Sequence, residues 1–220
     1  DGLFHAAYPS WVVLQNVYPQ YLLASSSDGG NSFNYQSIVS LSGHIALDDT
    51  LAKTGYILRS NPNNPAHLVF LLLLKVYGDG DIFMLESFNS GNTWSGVTRV
   101  NDDPIGNKRL QDLIWADFDL DGDLVVTWRD RRNAPDSTYT TSSEIWGAFR
   151  HKDSTNFSPN FLISDTQASY NTILASPGND FMCVKFINDT INAVWGDTRN
   201  GFLNIYFQRL SIAGTPLSIT

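Results

Sequence analysis

The segment Ser26–Phe33, which reads SSDGGNSF, is repeated 61 residues later (87 − 26) by the segment Ser87–Trp94, which reads SFNSGNTW. Both copies contain a serine, an acidic or amide side chain, a glycine and a closing aromatic residue at the same spacing. A third and degenerate copy, KDSTNF, ends at Phe157, which is 63 residues after Trp94 (157 − 94). A nearly constant period indicates that one structural unit is repeated along the chain.

A second repeated motif has nearly the same period. The segment Trp128–Arg132, WRDRR, is matched by Trp195–Arg199, WGDTR, 67 residues later (195 − 128). Between these motifs, short β-rich runs alternate with turns that contain Gly, Asn, Asp or Pro, and helical periodicity is almost absent. Each period therefore has room for about four short strands, which is the content of one propeller blade.

The first motif resembles the Asp-box, or BNR repeat, of sialidase-like β-propellers. The residues that carry it are Ser26, Asp28, Gly30, Phe33, Ser87, Asn89, Gly91 and Trp94, and the second copy departs from the family pattern by placing Asn89 at the Asp position. The Trp-x-Asp-x-Arg motif resembles an element that often accompanies Asp-boxes in secreted bacterial propellers. The resemblance implies an all-β fold, a sialidase-like β-propeller of four-stranded antiparallel blades.

The repeat length determines how much of a propeller the chain contains. A repeat of about 62 residues divides the 220 residues into about 3.5 blades, at roughly 1–41, 42–101, 102–164 and 165–220. Sialidase-like propellers close with six blades, and a half ring would leave sheet edges bare. We therefore expect residues 1–220 to form a partial propeller, completed by the same precursor or by a partner chain.

The Asp-box residues are expected to have structural roles. The side chain of Asp28 can accept hydrogen bonds from backbone N–H groups of its own turn, and Gly30 can adopt a positive φ. Phe33 and Trp94 would then fold beneath their hairpins and fill the gaps between blades. In the family, this motif joins the third and fourth strands of a blade, on the face away from the active site.

The same geometry assigns the remaining turns to faces. Turns of a four-stranded meander alternate between two faces, so the turns between second and third strands lie opposite the Asp-boxes. The residues that this reasoning places on a ligand-binding face are Tyr77, Asp79, Asp130, Arg131, Arg132, Tyr139, Asp197 and Arg199. The Asp and Arg pairs either bridge neighbouring blades or form a polar rim for a ligand. The loop of residues 131–143 is either functional or a plain surface flap.

Few of the catalytic groups of a sialidase have counterparts in this sequence. A sialidase requires three arginines, a tyrosine nucleophile with an activating glutamate, and an aspartate, and the family's Arg-Ile-Pro-like stretch is absent from residues 1–220. The candidate catalytic residues are Asp130 and Glu144, which a glycosidase would use as an acid and a base. The four histidines have no catalytic or metal-binding spacing.

The segment Asp117–Asp123, DFDLDGD, resembles the start of a calcium-binding loop. Alternate carboxylates in a tight turn can converge on calcium, which makes Asp117, Asp119, Asp121 and Asp123 candidate ligands. An EF-hand is excluded because its twelfth position would be Trp128. The alternative is an Asp-Gly hairpin turn without a bound ion. Calcium is the only cofactor that the sequence suggests.

Composition excludes several classes of partner. The chain has 14 Lys and Arg against 22 Asp and Glu, a net charge of −8, which argues against binding to nucleic acid. The longest apolar run, Leu68–Leu74, is too short to cross a membrane. The single cysteine, Cys183, excludes an internal disulfide, and its apolar neighbours predict that it is buried.

These observations leave three functions open. The first is a secreted or cell-surface module, bacterial by family resemblance, that binds glycan or a surface protein and is not catalytic on its own. The second is a glycoside hydrolase of the sialidase class whose active site is completed by residues outside this chain. The third is a structural part of a larger extracellular assembly. The fold by itself does not decide between them.

Overall fold

The computed structural model describes residues 3–10, 20–39, 55–170 and 181–218. Within these ranges the regular structure consists of β-strands in four antiparallel sheets, here called blades 1 to 4. No helix in the described ranges has the length and apolar character that crossing a membrane requires. The expected all-β architecture is therefore confirmed.

Each blade is a meander of consecutive strands. Blade 1 contains β1 (Phe4–Ser10), β2 (Gln20–Ser26) and β3 (Asn34–Val39); blade 2 contains β4 (Tyr56–Asn61), β5 (Asn64–Leu74), β6 (Asp81–Ser87) and β7 (Thr98–Arg99); blade 3 contains β8 (Gln111–Phe118), β9 (Leu124–Asp130), β10 (Glu144–Arg150) and β11 (Phe161–Leu162); blade 4 contains β12 (Met182–Ile187), β13 (Thr190–Asp197) and β14 (Asn204–Ser211). β8 packs against both β4 and β12, so the first strands of blades 2 to 4 lie side by side. This is the arrangement of strands that line a propeller axis.

Apolar layers between neighbouring blades form the core. Period-2 alternation sends successive side chains of a strand to opposite faces of its sheet. In blade 3, Val126 and Trp128 pack toward blade 2, whereas Val125 packs toward Phe186 and Trp195 of blade 4. All seven residues of β9 are buried because this blade is covered on both faces. The layers hold the blades in a fixed order and thereby position their connecting loops.

The two complete Asp-box turns share one pattern of hydrogen bonds. In the first, Gly30 N donates to Ser26 Oγ at 2.9 Å and Ser32 N donates to Asp28 Oδ1 at 2.9 Å. These hydrogen bonds from Ser32 and Ser26 hold the pKa of Asp28 below its usual range. In the second turn, Gly91 N donates to the serine hydroxyl at 2.8 Å, and Asn89 Oδ1 accepts from a backbone N–H at 2.9 Å.

The closing aromatic residues of the two turns differ in their packing. The ring of Trp94 lies 6.1 Å from that of Phe70, and its Nε1 donates to Ser37 Oγ of blade 1 at 3.1 Å. Phe33 is 49% exposed, so the expectation that it fills a gap between blades is wrong. The reason is that an Asp-box turn packs against the preceding blade, and the described residues place no sheet on that side of blade 1.

Cys183 also differs from expectation because it is exposed. It lies on β12, whose alternate residues Met182, Val184 and Phe186 are buried against blade 3. Cys183 faces the opposite side of blade 4, where the described residues provide no neighbouring sheet. Its environment therefore follows from its position in the alternation rather than from its apolar neighbours in sequence.

Candidate functional site

The loops at one end of the blades form a surface that we call the loop face. It consists of the turns after β5, β9 and β13 and of the links between blades, residues 100–110 and 163–170. Contacts between these segments hold it together: Gln111 N donates to Gly80 O at 2.8 Å, and Ser143 pairs with Ala168. The Asp-box turns lie at the opposite end, which we call the Asp-box face.

The repeated Trp-x-Asp-x-Arg motif folds identically in blades 3 and 4. In blade 3, Trp128 Nε1 donates to Asp130 Oδ2 at 2.7 Å, and Arg132 Nε donates to the same oxygen at 3.0 Å. The guanidinium of Arg132 lies 4.1 Å from the ring centroid of Trp146, the residue paired with Trp128 across the strands. Asp130 is thereby held between an indole and a guanidinium.

Blade 4 repeats each of these contacts. Trp195 Nε1 donates to Asp197 Oδ2 at 3.0 Å, and Arg199 Nε donates to the same oxygen at 2.9 Å. Arg199 lies 4.0 Å from the ring of Tyr206, the cross-strand partner of Trp195. The motif is a repeated structural unit in which one arginine is both ion-paired and stacked on an aromatic ring.

These arginines also join each blade to the link that enters it. Arg132 forms an ion pair with Asp102 at 2.7 Å, and Arg199 forms one with Asp165. The ion pairs of Arg132, Asp197 and Arg199 therefore lie within one blade and with the link that enters it, rather than joining one blade directly to the next as expected. Similar contacts at both positions argue for a structural role, because a single binding site is not built twice.

Asp130 does not suit the expected catalytic or ligand-binding role. Its side chain is fully buried, Oδ1 accepts from Arg132 N at 2.7 Å, and Oδ2 accepts from Trp128. Burial raises the pKa of Asp130, although Arg132 opposes that shift. The expectation that Asp130 contacts a ligand is therefore wrong, because the strand end that carries it is enclosed by its own blade.

Blade 3 contains a second cluster, which the described residues of blade 4 do not repeat. Asp112, at the start of β8, is fully buried and accepts from Arg129 Nε at 2.7 Å and Arg129 Nη2 at 2.6 Å. Arg131 Nη1 donates to the same carboxylate at 3.2 Å. Although burial opposes ionisation, Arg129 and Arg131 lower the pKa of Asp112 to about 2. Two guanidinium groups on one carboxylate leave a net positive charge.

The long loop covers this cluster with the ring of Tyr139. Arg131 lies 4.6 Å from the ring centroid of Tyr139, whose hydroxyl accepts from Arg129 Nη2 at 3.3 Å. The rings of Tyr139 and Tyr170 meet edge to face at 6.2 Å. We call Asp112, Arg129, Arg131 and Tyr139 the arginine cluster. It brings together two residues expected from the sequence, Arg131 and Tyr139, and two that were missed.

The other expected residues are not members of the arginine cluster, although Glu144 lines a small cavity together with Arg129. Tyr77 is 41% exposed in the turn after β5, and Asp79 beside it is buried. Burial raises the pKa of Asp79, and the neighbouring carboxylates of Asp81 and Asp103 raise it further. Glu144 Oε2 accepts from Asn133 Nδ2 and from Trp146 Nε1, each at 2.9 Å. Glu144 is thus the one catalytic candidate from the sequence that keeps partial exposure.

The candidate calcium loop converges only in part. The carboxylates of Asp119 and Asp123 lie within 4.8 Å of one another and of Asp189, which belongs to the next blade. Asp117 faces blade 4 instead, where it pairs with Lys185 at 2.8 Å. Asp121 is exposed and lies outside the group. The expectation of four converging ligands is therefore wrong for Asp117 and Asp121, because strand alternation and the turn direct them elsewhere.

The remaining carboxylates suit a hard cation in charge and chemistry. Asp119 Oδ1 accepts from the backbone N–H groups of Asp121, Gly122 and Asp123 at 2.9–3.0 Å, which fixes its orientation. Burial raises the pKa of Asp119, and the charge of Asp123 adds to this shift. Calcium takes oxygen ligands from carboxylates, and three of them converge here from two turns of the Asp-box face.

Known proteins resemble the chain in structure but not in sequence. No family model and no curated protein matches it. An α-L-arabinanase of Penicillium chrysogenum, solved with arabinobiose, matches 90% of this chain with a TM-score of 0.52 and 16% identity. A protein of unknown function from Dyadobacter fermentans matches 97% with a TM-score of 0.57 and 14% identity. This chain covers 58% of the length of each.

An endo-arabinase of Bacteroides thetaiotaomicron matches 98% of this chain with a TM-score of 0.55 and 12% identity, and 74% of its length is covered. At these identities the likeness concerns the fold. Together with the four blades, it confirms a β-propeller fold with about 3.5 blades in this chain. The chain thus has a β-propeller fold, which these solved glycosidases share.

Proposed function

We propose that the chain is part of a secreted or cell-surface propeller that binds glycans at the arginine cluster on the loop face. The observation that carries the proposal is the combination of Arg129, Arg131 and Tyr139 over the buried Asp112. The solved proteins with this fold include an arabinanase complexed with arabinobiose, which supports a carbohydrate as the ligand class.

The chemistry of the cluster suits a saccharide. Binding sites for small molecules combine aromatic walls with a few polar groups in fixed positions. Tyr139 and Tyr170 provide rings on which the apolar face of a sugar can pack, and the buried guanidinium of Arg131 beneath Tyr139 adds positive charge that attracts the sugar oxygens. Asp112 holds both arginines in place before a ligand arrives, so little conformational entropy is lost on binding.

The carboxylates favour binding over catalysis by this chain alone. A glycosidase uses two carboxyl groups, one of which donates a proton near neutral pH. In the described part of the loop face, Asp112 is ionised and enclosed by arginines, and Asp130 is fully buried. Glu144 lines a small cavity with Asp197, but the carboxylate of Asp197 is already ion-paired with Arg199. The alternative is a glycoside hydrolase whose second carboxylate comes from residues outside this chain.

The proposal is tested with the full-length protein on a glycan array that includes arabino-oligosaccharides and sialosides. We expect binding, and we expect Tyr139→Ala to weaken it at least about tenfold, which corresponds to about 1.4 kcal/mol. Tyr35→Ala is the matched control, because Tyr35 is 58% exposed and lies on blade 1, away from the cluster. Equal loss in both variants, or no glycan binding, contradicts the proposal. Release of sugar from a fluorogenic glycoside favours the hydrolase alternative.

A further inference from the structure

A buried polar network lies under the loop face, where the turn after β5 meets the link between blades 2 and 3. It contains four aspartates and two arginines, which are Asp79, Asp81, Asp103, Asp130, Arg99 and Arg132. With all of them ionised, the network carries a charge of −2 (2 − 4). The charge of Arg109, in the same link, acts on Asp136 of the long loop instead. A buried charge without a partner is costly unless the group takes up a proton or binds a cation.

The two carboxylate oxygens of Asp81 have very different surroundings. Oδ1 accepts from Arg99 Nη2 and from Asn101 Nδ2, each at 2.6 Å, and from Arg99 Nε at 2.9 Å. Oδ2 is shielded from solvent and has no hydrogen-bond partner among the described residues. Asp81 as a whole is 1% exposed. Burial raises the pKa of Asp81, although Asn101 and Arg99 favour its ionised form.

Asp79 provides a second oxygen of the same kind. Asp79 is 9% exposed, and its Oδ1 is shielded from solvent and has no hydrogen-bond partner in the part of the chain that the structure describes. Among the neighbouring charges, that of Asp81 acts most strongly on Asp79, so the two side chains are close to each other. Asp103 is not a third open ligand, because both of its oxygens accept hydrogen bonds from amide or guanidinium groups.

The two open oxygens suit a bare metal ion rather than an organic ligand. Neither is in contact with solvent, so a sugar on the loop face does not reach them. Calcium prefers carboxylate oxygens and also accepts backbone carbonyl groups. Gly78 and Gly80 flank Asp79, and they have no side chains to cover the carbonyl groups of the turn. One divalent ion balances the charge of −2, whereas neutralisation by protons requires two buried carboxyl groups to be protonated at neutral pH.

We propose that Asp79 and Asp81 hold a calcium ion beneath the loop face, at a site separate from the carboxylates of Asp119, Asp123 and Asp189 on the Asp-box face. The ion binds Oδ1 of Asp79 and Oδ2 of Asp81 and thereby fixes the turn after β5. Because solvent does not reach these oxygens, the ion is taken up as blade 2 folds and is released only when this turn opens. Calcium or chelator added to the folded protein therefore does not exchange it. The site does not depend on the arginine cluster or on the glycan proposal.

The test measures the calcium content of the full-length protein. The protein carries Asp189→Asn to remove the other candidate site, is produced with calcium, passed over a chelating resin and analysed by atomic emission. We expect one calcium ion per molecule, and none after the further substitution Asp79→Asn. Asp136→Asn is the matched control and keeps the ion, because Asp136 is an exposed aspartate of the same face. Absence of calcium before the second substitution, or equal calcium with and without Asp79, overturns the proposal.

A second measurement needs no variant. Long-wavelength diffraction from a crystal of the full-length protein locates calcium by its anomalous scattering. We expect a peak between the two carboxylates, at about 2.3–2.6 Å from Oδ2 of Asp81. No peak at this position overturns the proposal. A short hydrogen bond between the carboxyl groups of Asp79 and Asp81 would overturn it as well, because it would show that a shared proton takes the place of the ion.

Discussion

At the scale of single residues, the buried carboxylate of Asp112 is the most consequential group of the loop face. It neutralises one of two arginines whose side chains are 7% and 3% exposed. Removing it leaves Arg129 and Arg131 buried beside each other without their common partner. Breaking a buried ion pair from one side costs several kcal/mol, whereas an exposed pair contributes little.

We therefore expect Asp112→Ala to lower the free energy of unfolding by roughly 3–5 kcal/mol, measured by chemical denaturation. Asp153→Ala is the matched control, since the Asp153 side chain is 79% exposed and pairs with an exposed histidine at 3.7 Å. Its effect is expected to be within about 1 kcal/mol. Equal effects of the two substitutions would contradict the role assigned to Asp112.

Asp112 and a second ion-paired carboxylate, Glu86, make the stability of the protein depend on pH in the acid range. Burial opposes ionisation of Asp112 and Glu86, yet their cationic partners lower both pKa values to about 2. Both groups titrate near pH 4 in an unfolded chain, so the unfolded state binds more protons between about pH 4 and 2. Their stabilising contribution is present above pH 4 and is lost as the pH falls toward 2.

We expect the free energy of unfolding to decline between about pH 5 and 2, and Glu86→Gln to flatten this decline. The measurement is a series of denaturant titrations at fixed ionic strength. The partners of Glu86 are Arg150, at 2.6 Å, and His67, at 2.9 Å. An unchanged pH slope in the variant would show that Glu86 is not ionised with a lowered pKa in the folded state.

Residues that recur in both Trp-x-Asp-x-Arg motifs were expected to be structural, and this criterion identified only some of the residues of the candidate site. Asp130 and Arg132 recur as Asp197 and Arg199, and the repeat indicated correctly that ion pairing was an alternative for them. Arg129 does not recur, since Gly196 occupies its place in blade 4, and this difference was an available but unused signal. Asp112 had no signal, because a register shift after it sets the direction of its side chain.

At the scale of structural elements, the Asp-box turns show how one motif acquires different roles. Gly30 and Gly91 have φ values of +87° and +84°. A Cβ at Gly30 would meet open space, whereas one at Gly91 would collide with the side chain of Leu23 in blade 1. The second turn is therefore also an interface between blades, which the first is not in the described residues.

We expect Gly91→Ala to destabilise the protein more than Gly30→Ala. Both substitutions place a Cβ at positive φ, at a cost of about 1 kcal/mol. At Gly91 the forced shift of Leu23 adds roughly 1–3 kcal/mol. Thermal or chemical denaturation of the two variants checks the difference. Equal midpoints would mean that the packing of this turn against blade 1 is looser than the structure shows.

Calcium binding remains a prediction, now with a revised set of ligands. We expect calcium to raise the thermal midpoint of the protein and Asp189→Asn to abolish the rise, because Asp189 joins Asp119 and Asp123. Asp121→Asn is the control and keeps the response, since Asp121 is exposed and lies outside the group. A midpoint that is the same with calcium and with chelator contradicts the prediction.

The sequence predicted the strands and turns more accurately than it predicted which strand of its blade each one forms. Alternating runs and turn residues indicated antiparallel strands, which the four sheets confirm. The sequence placed the first repeat at residues 1–41 but did not reveal that β1 is a second strand. That assignment required the pairing of β1 with β2 and the position of β2 before the turn at Ser26. Phe33 was mispredicted because the described residues place no sheet beside the first Asp-box turn.

At the scale of the whole molecule, the last blade ends in an apolar face. Ile187, Ile205 and Phe207 are 50%, 60% and 43% exposed, and they face away from blade 3. The corresponding face of blade 3 is covered, with Val125 and Ile145 fully or nearly buried against blade 4. The expectation that further propeller blades adjoin this chain remains a prediction, and this face is the surface that would receive them.

The central claim places the carbohydrate on the loop face, at the end of the propeller opposite the Asp-box turns. The most direct measurement is a crystal structure of the full-length protein soaked with the strongest ligand from the glycan array. The account predicts a sugar ring packed against Tyr139 or Tyr170, above the buried arginines of the cluster. A sugar bound at the Asp-box face, with the arginine cluster empty, would contradict it.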